Sequence, residues 1–207
     1  MKNKLIVVLT ACALLGGLKS YAGTVFLDTF SAVDGTSLNG WNPTVGGAWL
    51  VTSSDIQIYS GAIDTSISDP PANYPGSTAF ADFSSTLGSG ETLTLTFNTE
   101  APASGHFFTA YGNGFAGISL FAGESEEIFL GKPGYATGWG TDGAIGQHTF
   151  PSITSSAESA SFTYAYDTGA WSFTVGNQTA SGTTEAGLPL SKLRIANSDH
   201  QSLMCNI

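Results

Sequence analysis

The sequence predicts an all-β protein in which two antiparallel sheets pack face to face. Apolar and polar residues alternate with a period of two in several segments, and this is the pattern of half-buried strands. The 26 glycines interrupt every long window, and no segment after residue 22 shows the 3.6-residue period of an amphipathic helix. A single open sheet of about ten to twelve strands would curl or split, so two packed sheets are favoured.

The clearest strand signals lie in two parts of the chain. Glu91–Phe97 alternates threonine with leucine or phenylalanine along its length. Ser161–Tyr166 and Ala170–Val175 alternate in the same way around the turn Asp167–Gly169, and together they predict a hairpin. The other predicted strands are Thr24–Phe30, Ala48–Val51, Asp55–Tyr59, Thr78–Phe83, His106–Tyr111, Gly117–Phe121, Glu127–Leu130 and Leu190–Ile195.

The first 22 residues have the layout of an export signal. Two early lysines give a positive start, the apolar stretch Leu5–Leu18 follows, and Ser20-Tyr21-Ala22 places small residues before a cleavage site. We therefore expect cleavage before Gly23, one domain over residues 23–207, and a secreted or cell-surface protein. No later segment reaches the roughly 18 apolar residues of a spanning helix, so we expect no transmembrane segment in the mature chain.

Cys12 allows a second interpretation of the same segment. Leu9–Cys12 resembles the lipidation site of bacterial lipoproteins, in which Cys12 would carry the lipid and become the first mature residue. The apolar run continues through Ala13–Leu15, where a lipoprotein turns polar, and this favours ordinary cleavage. With Cys12 removed, Cys205 is the one remaining thiol, so the mature chain contains no internal disulfide.

The predicted mature chain is strongly acidic. The full sequence carries 16 acidic and 6 basic residues, and half of the basic ones lie in the export signal. The others, Lys132, Lys192 and Arg194, are too few to neutralise a phosphate backbone, which excludes nucleic acid as a partner. Anionic membrane surfaces are excluded on the same ground. Neutral sugars and cations remain compatible with this charge.

Several short segments together resemble the concanavalin A-like (laminin G-like) lectin and glucanase domains of exported bacterial proteins. They are Phe26–Phe30, Leu38–Trp41 with Gly46–Trp49, Gly117–Gly123 followed by Glu127–Pro133, and Leu193–Asn197. The resemblance extends over roughly the whole mature chain and implies a two-sheet antiparallel jelly-roll sandwich. This superfamily includes sugar binders, glycosidases and adhesion modules, so the resemblance implies a polysaccharide or cell-surface glycan as the partner without naming the activity.

The same resemblance implies a calcium ion, since lectin-like sandwiches often bind one. Asp28 matches the acidic residue of the opening strand and is the first candidate ligand, with Asp199 as the second. Calcium requires several carboxylate and carbonyl oxygens, and the sequence contains no Asp-x-Asp-x-Asp loop. The alternative for Asp28 is a side chain on an edge strand that faces water.

Two loops carry the residue types that bind sugars. In such sites exposed aromatic rings stack on pyranose faces, while amide, carboxylate and backbone groups bond the hydroxyls. Tyr135, Trp139 and Asp142 lie together in a loop rich in glycine and threonine, and Trp41 lies between two nearby asparagines in another loop. The alternative for Trp139 is a ring that caps the sandwich. The remaining two tryptophans fall in strand alternation and are predicted to lie in the core.

Catalytic patterns are weak in this sequence. A glycosidase needs two carboxylates beside the scissile bond. The nearest match to the Glu-x-Asp-x-x-Glu pattern of the family's hydrolases is Glu124–Glu127, which lacks the central aspartate and is predicted to be a solvated hairpin tip. Gly112–Gly117 spells Gly-x-Gly-x-x-Gly, but a strand is predicted after it, and a dinucleotide site requires a helix there.

Three functional hypotheses follow from these observations. The favoured one is a non-catalytic carbohydrate-binding or surface-adhesion module. The alternatives are a structural exported protein without a ligand and a glycoside hydrolase or lyase. We expect no cofactor other than calcium.

Overall fold

The computed structural model describes residues 23–53, 56–65, 76–100, 114–153, 157–198 and 204–207, and their regular structure is entirely β, as predicted. Within these residues no helix is long and apolar enough to cross a membrane. In chain order the strands are β1 (Thr36–Ser37), β2 (Leu50–Ser53), β3 (Gln57–Tyr59), β4 (Ala62–Asp64), β5 (Ser77–Asp82), β6 (Thr92–Glu100), β7 (Ala116–Ala122), β8 (Ser125–Lys132), β9 (Gly140–Gly143), β10 (His148–Thr149), β11 (Ser159–Ala165), β12 (Ala170–Val175), β13 (Gln178–Thr183), β14 (Leu190–Asn197) and β15 (Met204–Asn206).

The strands form two antiparallel sheets, and these build a β-sandwich. The eight-stranded sheet has the order β1-β3-β4-β15-β6-β11-β12-β13, and the seven-stranded sheet has the order β10-β9-β8-β7-β14-β5-β2. Rings from the two sheets meet in one shared core. The ring of Phe97 on β6 lies 6.3 Å from that of Trp139 beside β9, and the ring of Phe173 on β12 lies 5.5 Å from that of Phe150 after β10. The predicted two-layer arrangement is therefore confirmed.

The predicted hairpin of β11 and β12 is also confirmed. Phe162 pairs with Phe173 and Tyr164 pairs with Trp171, so the apolar residues of both strands face the core together. Gly169 closes the connecting turn at a φ of +65°, a conformation that glycine adopts without steric cost. The period-two alternation was sufficient to predict this hairpin because each strand has one face in the core and one face in solvent.

The prediction of a strand over Thr24–Phe30 is wrong. The structure has only an isolated bridge there, between Leu27 and Val45. The carboxylate of Asp28 accepts the backbone N–H of Phe30 at 2.9 Å, and Phe30 itself has a φ of +43°, so the chain bends where a ladder would continue. The segment instead packs its apolar side chains into the core, with Phe26 fully buried.

Several strands were not predicted, and some predictions cannot be compared with the structure. β9 consists of glycine and polar residues, β13 contains one alanine among glycine and polar residues, and β15 is a short strand that pairs with both β4 and β6. The other predicted strands overlap β2, β3, β5, β6, β7, β8 and β14, with shifts of a few residues at their ends. His106–Tyr111, Asp199 and the export segment with Cys12 lie outside the described residues.

Candidate functional site

The outer face of the seven-stranded sheet carries aromatic rings and charges. Side chains alternate along β14, so that Leu193 and Ile195 point into the core. Lys192 and Arg194, which alternate with them, face outward. The same alternation on neighbouring strands directs Phe80, Phe121 and Phe129 to this outer face. Phe80 and Phe121 meet edge to face with their ring centroids 5.6 Å apart. This face therefore differs from the polar outer surface that alternation alone would predict.

A groove with a volume of about 460 Å³ opens on this face. Its apolar lining comes from Phe115, Phe129 and Pro133, with two glycines, and its charged lining comes from Glu126, Asp142 and Arg194. The Phe115 and Phe129 rings pack edge to face at 5.9 Å. A volume between about 300 and 1,000 Å³ is usual for small-ligand sites, and a mixture of rings with a few polar groups is their usual lining. We refer to this feature as the groove.

Gly117 makes room for one of these rings. A side chain at this position of β7 would place its Cβ 2.7 Å from the Phe129 ring and in collision with the Leu130 carbonyl. The backbone of β7 therefore lies directly beneath the ring. A glycine inside a strand commonly marks such a close approach.

Arg194 is fixed from several directions. Its Nη2 donates to Glu126 Oε1 at 2.6 Å and to Ser119 Oγ at 2.9 Å. Its guanidinium carbon lies 5.3 Å from the Phe121 ring centroid and 6.0 Å from that of Phe115, which are cation–π distances. The Arg194 side chain is 17% exposed, so its charge is compensated mainly by Glu126.

Lys192 repeats this arrangement one step along the same strand. Its ammonium lies 2.8 Å from Glu124 Oε1 and 5.9 Å from the centre of the Phe80 ring. Glu124 is at the exposed tip of the β7–β8 hairpin, where Gly123 makes the turn with a φ of +61°. The expectation of an acidic hairpin tip is met at Glu124, whereas Glu126 reaches back along β8 to Arg194.

Asp142 lines the groove as a side chain of β9. It pairs in register with Phe129 on β8, so the carboxylate and the ring are neighbours on the outer face. Its Oδ1 accepts the N–H of Gly143 at 2.9 Å. No cation of the described residues forms an ion pair with Asp142. The sequence therefore nominated one residue of the groove, Asp142, through its loop context.

Tyr135 lies beside β9 but does not line the groove. Its side chain is 42% exposed, and its hydroxyl contacts the carbonyl oxygens of Thr141 at 2.5 Å and of His148 at 2.9 Å. Burial and the negative charge of Asp142 raise the pKa of the Tyr135 hydroxyl, which therefore stays a donor at neutral pH. Its exposed ring is adjacent to the strand that supplies Asp142.

The expectation that Trp139 is an exposed loop aromatic is wrong. Trp139 is 1% exposed and packs on Phe97 of the opposite sheet. It directly precedes β9, and the pairing of β9 with β8 draws the segment onto the sandwich, where an indole gains more by burial than by exposure. Trp139 therefore lies in the core and offers no face to a sugar.

Hydrogen bonds join the partly buried Trp41 to the buried Asp28, and we refer to these contacts as the tether; sugar binding by Trp41 stays a prediction. Both oxygens of Asp28 lie 3.1 Å from the indole nitrogen of Trp41, and one of them accepts the indole N–H of Trp49 at 2.8 Å. Asp28 is 3% exposed, so it is not an edge side chain that faces water. Burial raises the pKa of Asp28, and hydrogen bonds from Phe30, Trp49 and Trp41 oppose this rise.

This tether does not fit a calcium site. Calcium requires free oxygens from several groups, whereas the Asp28 oxygens already accept N–H donors. Among the described residues, no three His, Cys, Asp or Glu side chains lie together as metal ligands would. Calcium binding with Asp199 as a second ligand stays a prediction that these contacts do not favour.

Most of the groove was missed from the sequence. Phe115, Phe129, Glu126 and Arg194 come from segments up to about eighty residues apart, and sheet order alone brings them together. One usable signal was Gly117 inside an otherwise apolar strand. It indicated a close backbone approach without naming Phe129 as the neighbour. The predicted strand after Gly112–Gly117 is confirmed as β7, which begins at Ala116.

No protein-family model matches the chain, and no curated protein matches its sequence.

Proposed function

We propose that this chain is an exported, non-catalytic carbohydrate-binding or surface-adhesion module with a concanavalin A-like jelly-roll topology. Its ligand is a polysaccharide or cell-surface glycan that lies in the groove. Cleavage before Gly23 releases the module outside the cell, and lipidation at Cys12 is the alternative route to the surface. Mass spectrometry of the mature N-terminus distinguishes the form cleaved before Gly23 from the form lipidated at Cys12.

The groove is the observation that carries this proposal. The partly exposed Phe115 supplies ring surface of the kind that packs on the apolar faces of sugars, and Phe129, which is 7% exposed, reaches the groove with only a small part of its ring. Asp142 and Glu126 supply acceptors beside these rings, and Arg194 supplies donors, so hydroxyl groups can be bonded on both sides of an apolar floor. A rigid sheet holds all of these groups, which lowers the entropy lost on binding.

Binding is favoured over hydrolysis by the contacts of Glu126. Its Oε1 already accepts hydrogen bonds from Arg194 at 2.6 Å and from the Ser119 hydroxyl at 2.6 Å. A general acid or nucleophile must be free to face the scissile bond. A glycoside hydrolase remains the second candidate because Glu126 and Asp142 line the same groove, as a carboxylate pair would.

A glycan array read with the full protein tests the proposal. We expect binding to one class of glycan, weakened about tenfold by Phe115→Ala because a stacking ring is removed. Thr163→Ala on the outer face of the eight-stranded sheet is the matched control and should bind as the unmodified protein does. Failure to bind any glycan, with or without calcium, would contradict the proposal and support a structural protein without a ligand.

The hydrolase candidate is tested with the glycan that binds. Release of reducing ends that Glu126→Gln abolishes would show an enzyme. Binding without any product release would keep the non-catalytic function.

A further inference from the structure

The outer face of the seven-stranded sheet repeats one arrangement of a ring, a carboxylate and a cation. In the first set, the Lys192 ammonium lies over Phe80 and pairs with Glu124. In the second set, the Arg194 guanidinium lies over Phe121 and pairs with Glu126. In both sets a side chain of β14 supplies the cation and a neighbouring strand supplies the ring, while the carboxylate comes from the β7–β8 turn in the first set and from β8 in the second.

Next to these two sets lies a third ring and carboxylate, and among the described residues this third pair has no cation. They are Phe129 and Asp142, which are register partners on β8 and β9 and which both line the groove. Strands β7 and β8 lie between β14 and β9 in the sheet, and the two cations of β14 pair with Glu124 and Glu126.

Within residues 23–207, every lysine and arginine already has a partner elsewhere and none completes this third set. Between residues 23 and 207 the sequence contains Lys132, Lys192 and Arg194 and no other lysine or arginine. Lys132 is 1% exposed, and its ammonium donates to the Gly114 carbonyl. The other two are held by Glu124 and Glu126.

We propose that the groove selects a glycan bearing a protonated amino group, as in glucosamine, and that Asp142 holds this ammonium against the Phe129 ring. The inference rests on the proposed function and specifies the ligand class of the same groove. A cation beside a ring and a carboxylate gains both cation–π and Coulomb attraction.

The charge of the groove excludes the opposite class of glycan. Glu126 offsets Arg194, so the Asp142 carboxylate leaves the lining with a net negative charge. The whole chain has a formal net charge of −10, which repels uronate and sulfate groups at longer range. An ammonium ligand is attracted by both the local and the long-range field.

The test compares two tetramers that differ only at nitrogen: β-1,4-linked glucosamine, with free amines, and its fully N-acetylated, neutral counterpart. Titration calorimetry of the full protein below the amine pKa should show the glucosamine tetramer binding about tenfold tighter, from one ion pair and one cation–π contact. Asp142→Asn should remove this preference, since it retains the acceptor for the Gly143 N–H and loses the charge.

Asp34→Asn is the matched control variant. Asp34 is exposed and its Oδ1 likewise accepts a backbone N–H, from Ser60 at 2.7 Å, so the substitution makes the same charge change outside the groove. It should leave the preference unchanged. Raising the pH until the ligand amines lose their protons should abolish the preference in the unmodified protein.

Three results would overturn the inference, and they separate it from the proposed function. Equal binding of both tetramers would remove the selection for an amine and leave glycan binding intact. Equal losses in Asp34→Asn and Asp142→Asn, or equally tight binding of tetralysine, would reduce the effect to general attraction by an acidic protein. Binding of neither tetramer, together with a negative glycan array, would remove the proposed function as well.

Discussion

The two outer faces of this sandwich obey the same alternation but carry different chemistry. On the eight-stranded sheet, the described outward positions of β6, β11, β12 and β13 are occupied by threonine, serine, alanine and asparagine. Neighbouring hydroxyls bond across strands, as between Thr163 and Ser172 at 2.8 Å and between Thr174 and Thr179 at 2.8 Å. On the seven-stranded sheet, the outward positions include phenylalanines, two cations and the carboxylates of Asp82, Glu126 and Asp142.

Folding alone accounts for the side chains of one outer face and does not account for those of the other. Small hydroxyl side chains form hydrogen bonds with one another and keep the sheet surface hydrated, and such a surface is sufficient for folding. Outward rings such as Phe80 and Phe121 gain nothing from water, and at this face they are packed under charged side chains instead. We infer that the face with rings is the one shaped for a ligand.

The largest expected effect distinguishes the two faces by a single substitution on each. Gly117→Val forces Cβ against the Phe129 ring and the Leu130 carbonyl and should cost about 3 kcal/mol or more of unfolding free energy. Thr163→Val on the hydroxyl face loses one exposed hydrogen bond and should change stability by about 0.5 kcal/mol or less. Urea denaturation followed by tryptophan fluorescence measures both. Similar costs for the two variants would contradict the close approach of β7 to Phe129.

A smaller effect is expected at Asp28, in the segment that precedes β1. Asp28→Asn leaves an indole N–H or the Phe30 N–H without its acceptor and should cost about 1–3 kcal/mol. Burial raises the folded-state pKa of Asp28 above its unfolded value, so its contribution to stability is full in acid and declines as the pH rises through the folded-state pKa.

The pH dependence gives this prediction its control. Other titrating groups affect both proteins equally, so the difference in unfolding free energy between the unmodified protein and Asp28→Asn isolates Asp28. We expect this difference to be largest at acid pH and to shrink towards neutrality. A difference that grows with pH would mean that hydrogen bonds from the two indoles outweigh burial.

A smaller effect again is expected at Arg194. Arg194→Met keeps apolar contact with Phe115 and Phe121 but removes the charge, and should cost about 1 kcal/mol because both partners of the ion pair are partly exposed. A double-mutant cycle with Glu126→Gln measures the coupling between them. Independent effects of the two substitutions would show that Glu126 does not hold Arg194 over the rings.

The sequence predicted the parts of this molecule that depend on local pattern. The alternation of β11 and β12 predicted their hairpin and which of their residues are buried, because both properties follow from neighbours in the chain. The order of strands in a sheet does not follow from residues that are neighbours in the chain. The adjacency of β14 to β5 and β7 joins segments about seventy to more than one hundred residues apart, and it alone places Arg194 beside Phe121 and Glu126.

Errors arose where a tertiary contact overrode a local pattern. Thr24–Phe30 has strand propensity, yet Asp28 bends it by capping Phe30 and binding two indoles. Trp139 has loop neighbours, yet pairing of the unpredicted β9 draws it into the core. Composition could not separate a tryptophan that lies in the core from one that touches a ligand.

The most direct test of the difference between the faces is to locate a bound glycan by amide chemical shifts. On titration with a glycan that the protein binds, we expect shifts confined to β7, β8, β9 and β14 around Phe129 and Asp142, with the hydroxyl face around Thr163 and Ser172 unchanged. Shifts centred on the hydroxyl face, or spread evenly over both sheets, would contradict the assignment of the groove as the binding site.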